Sequence, residues 1–310
     1  MALRISLRQL EYFIAAGDAR SITIASERIN ISPPSISMAV SHLEKEFGLE
    51  LFVRHHAQGL SLTPAGEQLL VRAKALVGQA EGLTSLAWEL GTQIKGRLAV
   101  GCLVTLAPMI LPELTHAFSM AYPTVELSAR EDNQQRLLAD LVSARLGSVI
   151  TYDLDIPPAV AFEPLVSLPP HVLVSEHHAL AGRDEIDLRE LEQEPFLLLD
   201  LPISAEYFMS LFFAAGFEPR IGYRSGNQEV LRTMVANGQG YALANALPRS
   251  DWALDGRRVV RLPLKGHHRA MTLGLARLAE IHPTRVLTTF EEHCRHCISD
   301  TYIPGMVAPA

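Results

Sequence analysis

Apolar positions in the first fifty residues recur with helical spacing. Leu7, Leu10, Phe13 and Ile14 share one face, and Ser6-Leu7-Arg8-Gln9 ahead of them has the capping-box pattern that starts a helix. Gly17-Asp18 predicts its end. Ser21 can cap a second, short helix with Ala25 and Ile29 on its inner face, and Asn30-Ile31-Ser32 reads as a tight turn. Ser32 can cap a third helix opened by Pro33 and Pro34, because the first helical N–H groups lack partners in any case. In that helix Ile36, Val40, Leu43 and Phe47 turn inward, which leaves Ser35, Ser37, Met38, Ser41 and His42 on or near the other side. Two short strands, Leu51–Arg54 and Leu60–Leu62, flank the turn His55–Gly59. A long helical pattern then runs from Pro64 to about Leu90. Its apolar stripe includes Leu69, Leu70, Ala73, Leu76, Val77, Ala80, Leu83 and Leu90. It fits a core helix of one compact domain, and equally a helix paired across a dimer.

Beyond Gly96 the texture changes to strands alternating with helices, the signature of an α/β sheet. Strands are predicted at 97–102, 125–131, 149–152, 171–175, 196–200, 220–224, 241–245 and 271–276. Helices are predicted at 108–121, 134–145, 205–215, 228–237 and 283–298. Gly91 and Gly96 bracket a hinge between the two textures.

The chain has 310 residues, enough for two or three domains. The formal net charge is −7, which announces no polyanion partner for the whole molecule, but the charge is unevenly spread. Residues 1–97 hold 10 Lys+Arg against 9 Asp+Glu, and residues 98–310 hold 17 against 25, so the acidity belongs to the second texture. Three cysteines give no disulfide framework. No apolar run approaches the ~18 residues of a membrane span, and the first residues have no signal-peptide core. A cytoplasmic protein without membrane contact is the expectation.

Two short helices, a turn, a third helix and a strand pair form a winged helix-turn-helix pattern, although small helical bundles with no DNA role use the same spacing. The wording is more specific. Leu10-Glu11-Tyr12-Phe13, Ala25-Ser26-Glu27-Arg28, Ile31 to Ser37, Leu43 to Gly48, Leu51-Phe52-Val53-Arg54 and Leu62 to Gly66 stand in order at the right intervals. Together they resemble the LysR-type transcriptional regulators, densely over residues 5–70 and more loosely beyond. Pro33, Met38 and Ala39 stand where that family often carries Gln, Arg and Gln, and the wing turn is poorer in Lys and Arg.

The resemblance implies a winged helix-turn-helix DNA-binding domain over 1–63, a linker helix for dimerisation over 64–91, and an effector-binding domain over 92–310. The last is an α/β, periplasmic-binding-protein-like domain of two lobes, about 97–164 with 270–310, and about 165–269. The expected partners are a double-stranded DNA operator, a small-molecule effector and a second or further copy of the chain, as homodimer or homotetramer, with RNA polymerase as a further candidate. No cofactor is expected. Candidate DNA contacts are Ser32, Pro33, Ser35, Ser37, Met38, Arg54 and His56. Leu76, Leu83 and Leu90 are the candidate dimer contacts.

Effectors in such folds bind at the carboxyl ends of strands, where helix N-termini gather. Four such junctions supply Cys102 and Thr105, Asp132 and Asn133, Ser204, and Asn227 and Gln228. Each residue suits equally well as a helix cap. Thr105, Ser204 and Asn227 are preferred. No Lys or Arg stands at these junctions, which favours a small organic acid with one charge, or a polar hydroxyl-rich metabolite.

No phosphate loop or nucleophile elbow points to an enzyme. A solute-binding protein or enzyme with an accessory helical domain is the rival class. In the segment His293-Cys294-Arg295-His296-Cys297, positions 294 and 297 neighbour each other on a helix. A redox- or metal-responsive regulator using Cys294 and Cys297 is the alternative within the same DNA-binding class.

Overall fold

The computed structural model describes residues 4–55, 59–89 and 94–307. The chain forms two compact units. The first comprises Met1–Gln93 with Asp140–Arg145 and Glu280–Arg285, and the second Ile94–Ala139, Leu146–Ala279 and Val286–Ala310.

In the first unit α1 (Leu7–Ala19) starts with the capping box in place. Ser6 Oγ accepts from the Gln9 amide at 3.3 Å, and Gln9 Oε1 accepts from the Ser6 amide at 2.9 Å. The helix runs through Gly17-Asp18 and stops at the left-handed Arg20, later than predicted. Gly17 is there for packing: a Cβ would lie 3.2 Å from the Leu70 side chain. The second helix α2 (Ile22–Ile29) is capped by Ser21. Helix α3 (Pro33–Phe47) ends at Gly48, which has φ +67°.

Ser32 holds the N-cap conformation of α3 but makes no side-chain cap. Its hydroxyl pairs with Ser35 Oγ at 2.8 Å, while the Ser35 and Ile36 amides bond to the Ser32 carbonyl. Pro33 and Pro34 have no N–H to satisfy, so little is left for a capping hydroxyl to do.

Strands β1 (Phe52–His55) and β2 (Gly59–Leu62) pair antiparallel as the wing. Helix α4 (Pro64–Glu89) follows, its first turn held by Thr63 Oγ1, which accepts from the Gly66 amide at 2.9 Å. Phe13, Ile36, Leu43 and Leu51 are fully buried in the core, and Leu69, Leu70 and Val77 pack onto it. Lys74 lies on the same side, 7% exposed, its ammonium 2.6 Å from the Asp18 carboxylate.

The second unit holds a five-stranded sheet in the order β4-β3-β5-β12-β6. Its strands are β3 (Gly96–Leu103), β4 (Val125–Asp132), β5 (Ser148–Tyr152), β6 (Val160–Leu168) and β12 (Met271–Leu278). Helices α5 (Ala107–Ala121) and α6 (Gln134–Val142) make the crossovers that keep β3, β4 and β5 parallel. Helix α6 ends three residues short of its predicted end, and Ala144 then takes a left-handed turn.

A second layer follows. Strands β7 (His171–Ser175), β10 (Ala242–Ala244) and β11 (Val259–Pro263) form one sheet in the order β10-β7-β11. Strands β8 (Phe196–Leu199) and β9 (Ile221–Ser225) form a parallel pair. Helices α7 (Ser204–Ala215) and α8 (Gln228–Ala236) belong here, and α9 (Arg285–Cys297) returns to the first sheet, where Phe290 packs edge-on against Phe118 of α5.

Strands β6 and β11 are absent from the sequence prediction. Both are sheet edges and both carry a proline, Pro164 and Pro263, which breaks the strand signal but is tolerated where one side of the ladder is free. Leu168 pairs with Met271, so Leu165–Leu168 stay in the first sheet. The chain therefore crosses between sheets at Pro169-Pro170, within the stretch 164–170 where the crossing was expected. Among the described residues no helix is long and apolar enough to cross a membrane.

Gly66 tests the packing of the first unit. A Cβ at this position would stand 2.1 Å from the Leu51 carbonyl oxygen. Gly66→Ala is expected to destabilise the unit by roughly 1–3 kcal/mol, the usual cost of overpacking, seen as a lower urea midpoint for its transition. An unchanged midpoint would contradict this packing.

Candidate functional site

The exposed side of α3 opposes its buried side. Ile36, Ala39, Val40 and Leu43 are buried, whereas Met38 is 72% exposed. Ser32 and Pro33 are exposed at the helix start, and Ser35 and Ser37 are half-buried beside Met38. Ser32, Ser35, Met38 and His42 line a shallow open concavity whose other wall is α1, through Arg8 and Tyr12. The Arg8 guanidinium donates to the Tyr12 hydroxyl at 2.8 Å and lies 5.8 Å from the centre of its ring. Arg8 is a rim cation that sequence reading missed; the signal was an Arg four residues before a Tyr on one helix. Arg54 lies in β1 opposite Leu60. Its side chain and the whole of His56 lie outside the described residues.

The wing is tied to α3 by a contact that spacing did not reveal. One carboxylate oxygen of Glu44 accepts from the amides of Leu51 and Phe52, at 2.9 and 3.3 Å. The strand leading into the wing thus starts from α3 itself.

In the second unit, residues from both sheets line a small cavity of about 30 Å³, above the roughly 10–15 Å³ needed to hold one water. Thr105, Ser204 and Gln228, all predicted, line it. Cys102, Asp132, Asn133 and Asn227 do not. Cys102 is fully buried in β3, and burial pushes its thiol up. Asn133 Oδ1 accepts from the Arg136 amide at 3.0 Å and Asn227 Oδ1 from the Glu229 amide at 2.9 Å, so both serve as helix caps. The Asp132 carboxylate, against the opposing effect of burial, is held below its ordinary range by the Asn133 amide and by Arg130 and Arg136.

Of the wall residues that were not predicted, three are polar: Tyr152, Arg232 and Asn245. Arg232 is 2% exposed. Its guanidinium donates to the Ser250 and Trp252 carbonyls at 2.8 and 3.3 Å and lies 3.8 Å from the Glu229 carboxylate. Its signal was a basic residue three and four places before the buried Val235 and Ala236. Asn245 is 3% exposed. Its amide nitrogen donates to the Leu168 carbonyl at 2.8 Å and the Tyr207 hydroxyl at 3.1 Å, while Oδ1 has no partner among the described residues. A polar residue closing the apolar run Tyr241–Ala244 was the signal here. Burial pushes Tyr207 up to about 12, so the phenol stays protonated and donates to the Arg269 carbonyl at 2.6 Å.

On α9, Cys294 is fully buried and Cys297 half-buried, its sulfur 3.7 Å from His293 Nε2. Burial pushes both thiols up. Among the described residues no group of three or more His, Cys, Asp or Glu is placed to hold a metal ion.

Residues 7–67 match the bacterial regulatory helix-turn-helix protein, lysR family, and residues 91–297 match the LysR substrate binding domain. The DNA-binding transcriptional dual regulator OxyR of Escherichia coli K12 is 30% identical over 273 residues, covering 87% of this chain and 88% of that protein. The hydrogen peroxide-inducible genes activator of Dickeya chrysanthemi is 29% identical over 244 residues, 78% of this chain and 80% of that protein. The crystal structure of HinK, a LysR family transcriptional regulator from Pseudomonas aeruginosa, superposes with a TM-score of 0.64 at 35% identity, over 95% of this chain and 99% of that one. The chain belongs to the LysR family of transcription regulators. It is a DNA-binding regulator with a substrate-binding-type second domain, and not an enzyme.

The α3 face is expected to set base preference. Met38→Arg replaces an apolar contact by a group able to bond guanine bidentately, worth about 1–3 kcal/mol at that base pair. Selection of binding sites from random DNA should return a motif changed within each half-site. The same motif for parent and variant would remove Met38 from the reading face.

Proposed function

We propose that this regulator reads an interrupted palindrome through two copies of its winged unit and is controlled by a small organic acid or similar polar metabolite bound in the cavity of the second unit. Ser32, Pro33, Ser35, Ser37 and Met38 face the major groove, and Arg54 and His56 approach phosphate or the minor groove from the wing. Loss of the Arg54 charge then weakens binding to all sequences alike. The exposed side of α3 supports this role, because hydroxyls and a thioether offer hydrogen bonds to base edges and apolar contact to thymine methyls. The domains divide as 1–63, 64–91 and 92–310, in a cytoplasmic protein.

Helix α4 holds the copies together. Leu76 is 46% exposed in the single chain, although it lies on the apolar stripe. Leu83 and Leu90 continue that stripe; the Leu83 side chain and the whole of Leu90 fall outside the described residues. A dimer or tetramer built on this helix sets the spacing of the half-sites.

The observation that carries the effector reading is Asn245 Oδ1, an unpartnered acceptor in a buried wall. An acceptor left without a partner in a buried site costs about 1–3 kcal/mol, and a ligand hydroxyl or amine recovers it. Arg232 supplies the cation that the strand-to-helix junctions lack, and one cation suits one carboxylate. The ligand class is therefore a monocarboxylate bearing a hydroxyl or amine, with Thr105, Ser204 and Gln228 completing the wall. At about 30 Å³ the cavity admits such a ligand only as the sheets move apart.

The relatives named for hydrogen peroxide invite a thiol-based reading. Peroxide attack needs an accessible thiolate. Cys102 and Cys294 are buried and all three thiols are pushed up, so ligand binding is favoured over sulfur chemistry.

The test is a thermal-shift screen of the full chain against mono-, di- and tricarboxylates, amino acids, sugars and aromatics. A monocarboxylate hit at a hundred times its Kd should stabilise by about 2.7 kcal/mol, and Ser204→Ala or Thr105→Val should weaken it. Hits confined to phosphorylated or multiply charged compounds, or hits indifferent to both substitutions, would refute the assignment.

A further inference from the structure

The matched substrate-binding domain ends at residue 297. The chain continues as a segment that touches stretches adjoining both walls of the cavity. It leaves α9, which packs on α5 of the first sheet, and Ile298 is buried at the exit. Ser299 and Tyr302 then close a tight turn, their amides and carbonyls bonded to each other at 2.8 and 3.2 Å.

On the side of the first sheet this segment grips α5. The Tyr302 hydroxyl donates to the Glu113 carboxylate. Gly305, at φ +66°, lies so close to α5 that a Cβ would stand 2.8 Å from the Met109 carbonyl oxygen. A side chain there would be strained by conformation and crowded by the Met109 backbone. On the side of the second layer the segment grips the stretch after β10. Val307 N donates to the Leu247 carbonyl at 2.8 Å, and Arg249 N to the Gly305 carbonyl at 3.1 Å. Arg249 Nε donates to the Met306 carbonyl at 3.1 Å, and its guanidinium lies 5.3 Å from the centre of the Tyr302 ring. Pro248 and Met306 face each other as an antiparallel bridge. Ile303 and Met306 are buried, so apolar packing supports these bonds.

Both grips sit beside the cavity wall. Met109 and Glu113 lie in the first two turns of α5, just after the wall residue Thr105. Leu247 directly follows the wall residues Asn245 and Ala246. The chain itself passes between the two sheets at Pro169-Pro170 and between β11 and β12, and Asn245 bonds the Leu168 carbonyl across them. A movement that carries Leu247–Arg249 away from α5 must break the hydrogen bonds on one side of the segment.

We propose that residues 298–307 form a strap, a third connection between the two sheets, that holds the cavity closed and must release one of its grips before a ligand enters. The proposal rests on reading that cavity as the effector site. Its regulatory consequence is that effector entry is coupled to the C-terminal segment, so anything that displaces the strap raises the population of the open form.

The test is hydrogen exchange of the full chain without ligand, compared with a chain ending at Asp300 and with Arg249→Ala. Deletion should speed amide exchange at least tenfold in the two stretches that run from the cavity wall to the grips, residues 105–113 and 243–249. Arg249→Ala, which keeps the segment and removes one grip, should give a smaller rise in the same stretches. In both variants β3 and α1 should keep their parental rates. Unchanged wall exchange in both variants would overturn the strap, and so would a rise spread evenly over the whole second unit. Because no ligand is present, a failed effector screen bears on the cavity reading alone and leaves this result standing.

Discussion

The one-sided burial of α3 is the constraint on which DNA reading depends. Ile36, Val40 and Leu43 are at most 3% exposed, and each such side chain contributes roughly 1.5–3 kcal/mol by leaving water. That burial fixes the rotation of the helix about its axis, and so decides that Met38 and its neighbours point outward. A half-turn of the helix would put Met38 in the core and expose Leu43. Glu44 extends the constraint to the wing. Its carboxylate gathers the Leu51 and Phe52 amides, so the helix and the strand beside it are positioned as one body. Arg54 inherits its place in β1 from that arrangement.

The second unit works by a different balance. Its apolar core is continuous, yet polar groups are buried in the cavity wall, where Asn245 presents an unpartnered acceptor and Arg232 a buried cation. Burial opposes charge on Arg232, as the downward direction of its pKa reflects, but its base strength is such that it stays cationic. A wall of this composition is costly to keep dry and unliganded, which is the condition for a ligand to shift the population of states. His171, in β7, is also buried; desolvation, the field of Arg261 and then that of Arg232 hold it down to about 3, so it is neutral at physiological pH and adds no charge.

Much of this was legible in the sequence where local chemistry and tertiary packing agree. The Ser6–Gln9 capping box and the Ser21 cap mark helix starts through bonds made within a few residues. The parallel core strands read as short apolar runs. What escaped depends on distant partners. The edge strands β6 and β11 carry prolines that a ladder tolerates only on its free side. Gly17 looked like a helix stop because its actual partner, Leu70, is more than fifty positions away. Among the site residues, Thr105, Ser204 and Gln228 were found from strand-to-helix junctions. Arg232 and Asn245 were not, since one lies inside a helix and the other follows a strand that ends without a helix. Asn133 and Asn227 have the same junction signature as Ser204 but spend their side chains on capping.

The central claim is that α3 presents a sequence-reading face whose two copies are held at fixed spacing. It is tested most directly by nuclease footprinting of the full chain on DNA flanking its own coding sequence. The account predicts two protected half-sites related by a dyad, with centres separated by about one helical turn of roughly 10–10.5 base pairs or a multiple of it. Protection that is uniform along the DNA, or that disappears with rising salt without ever favouring a sequence, would contradict it.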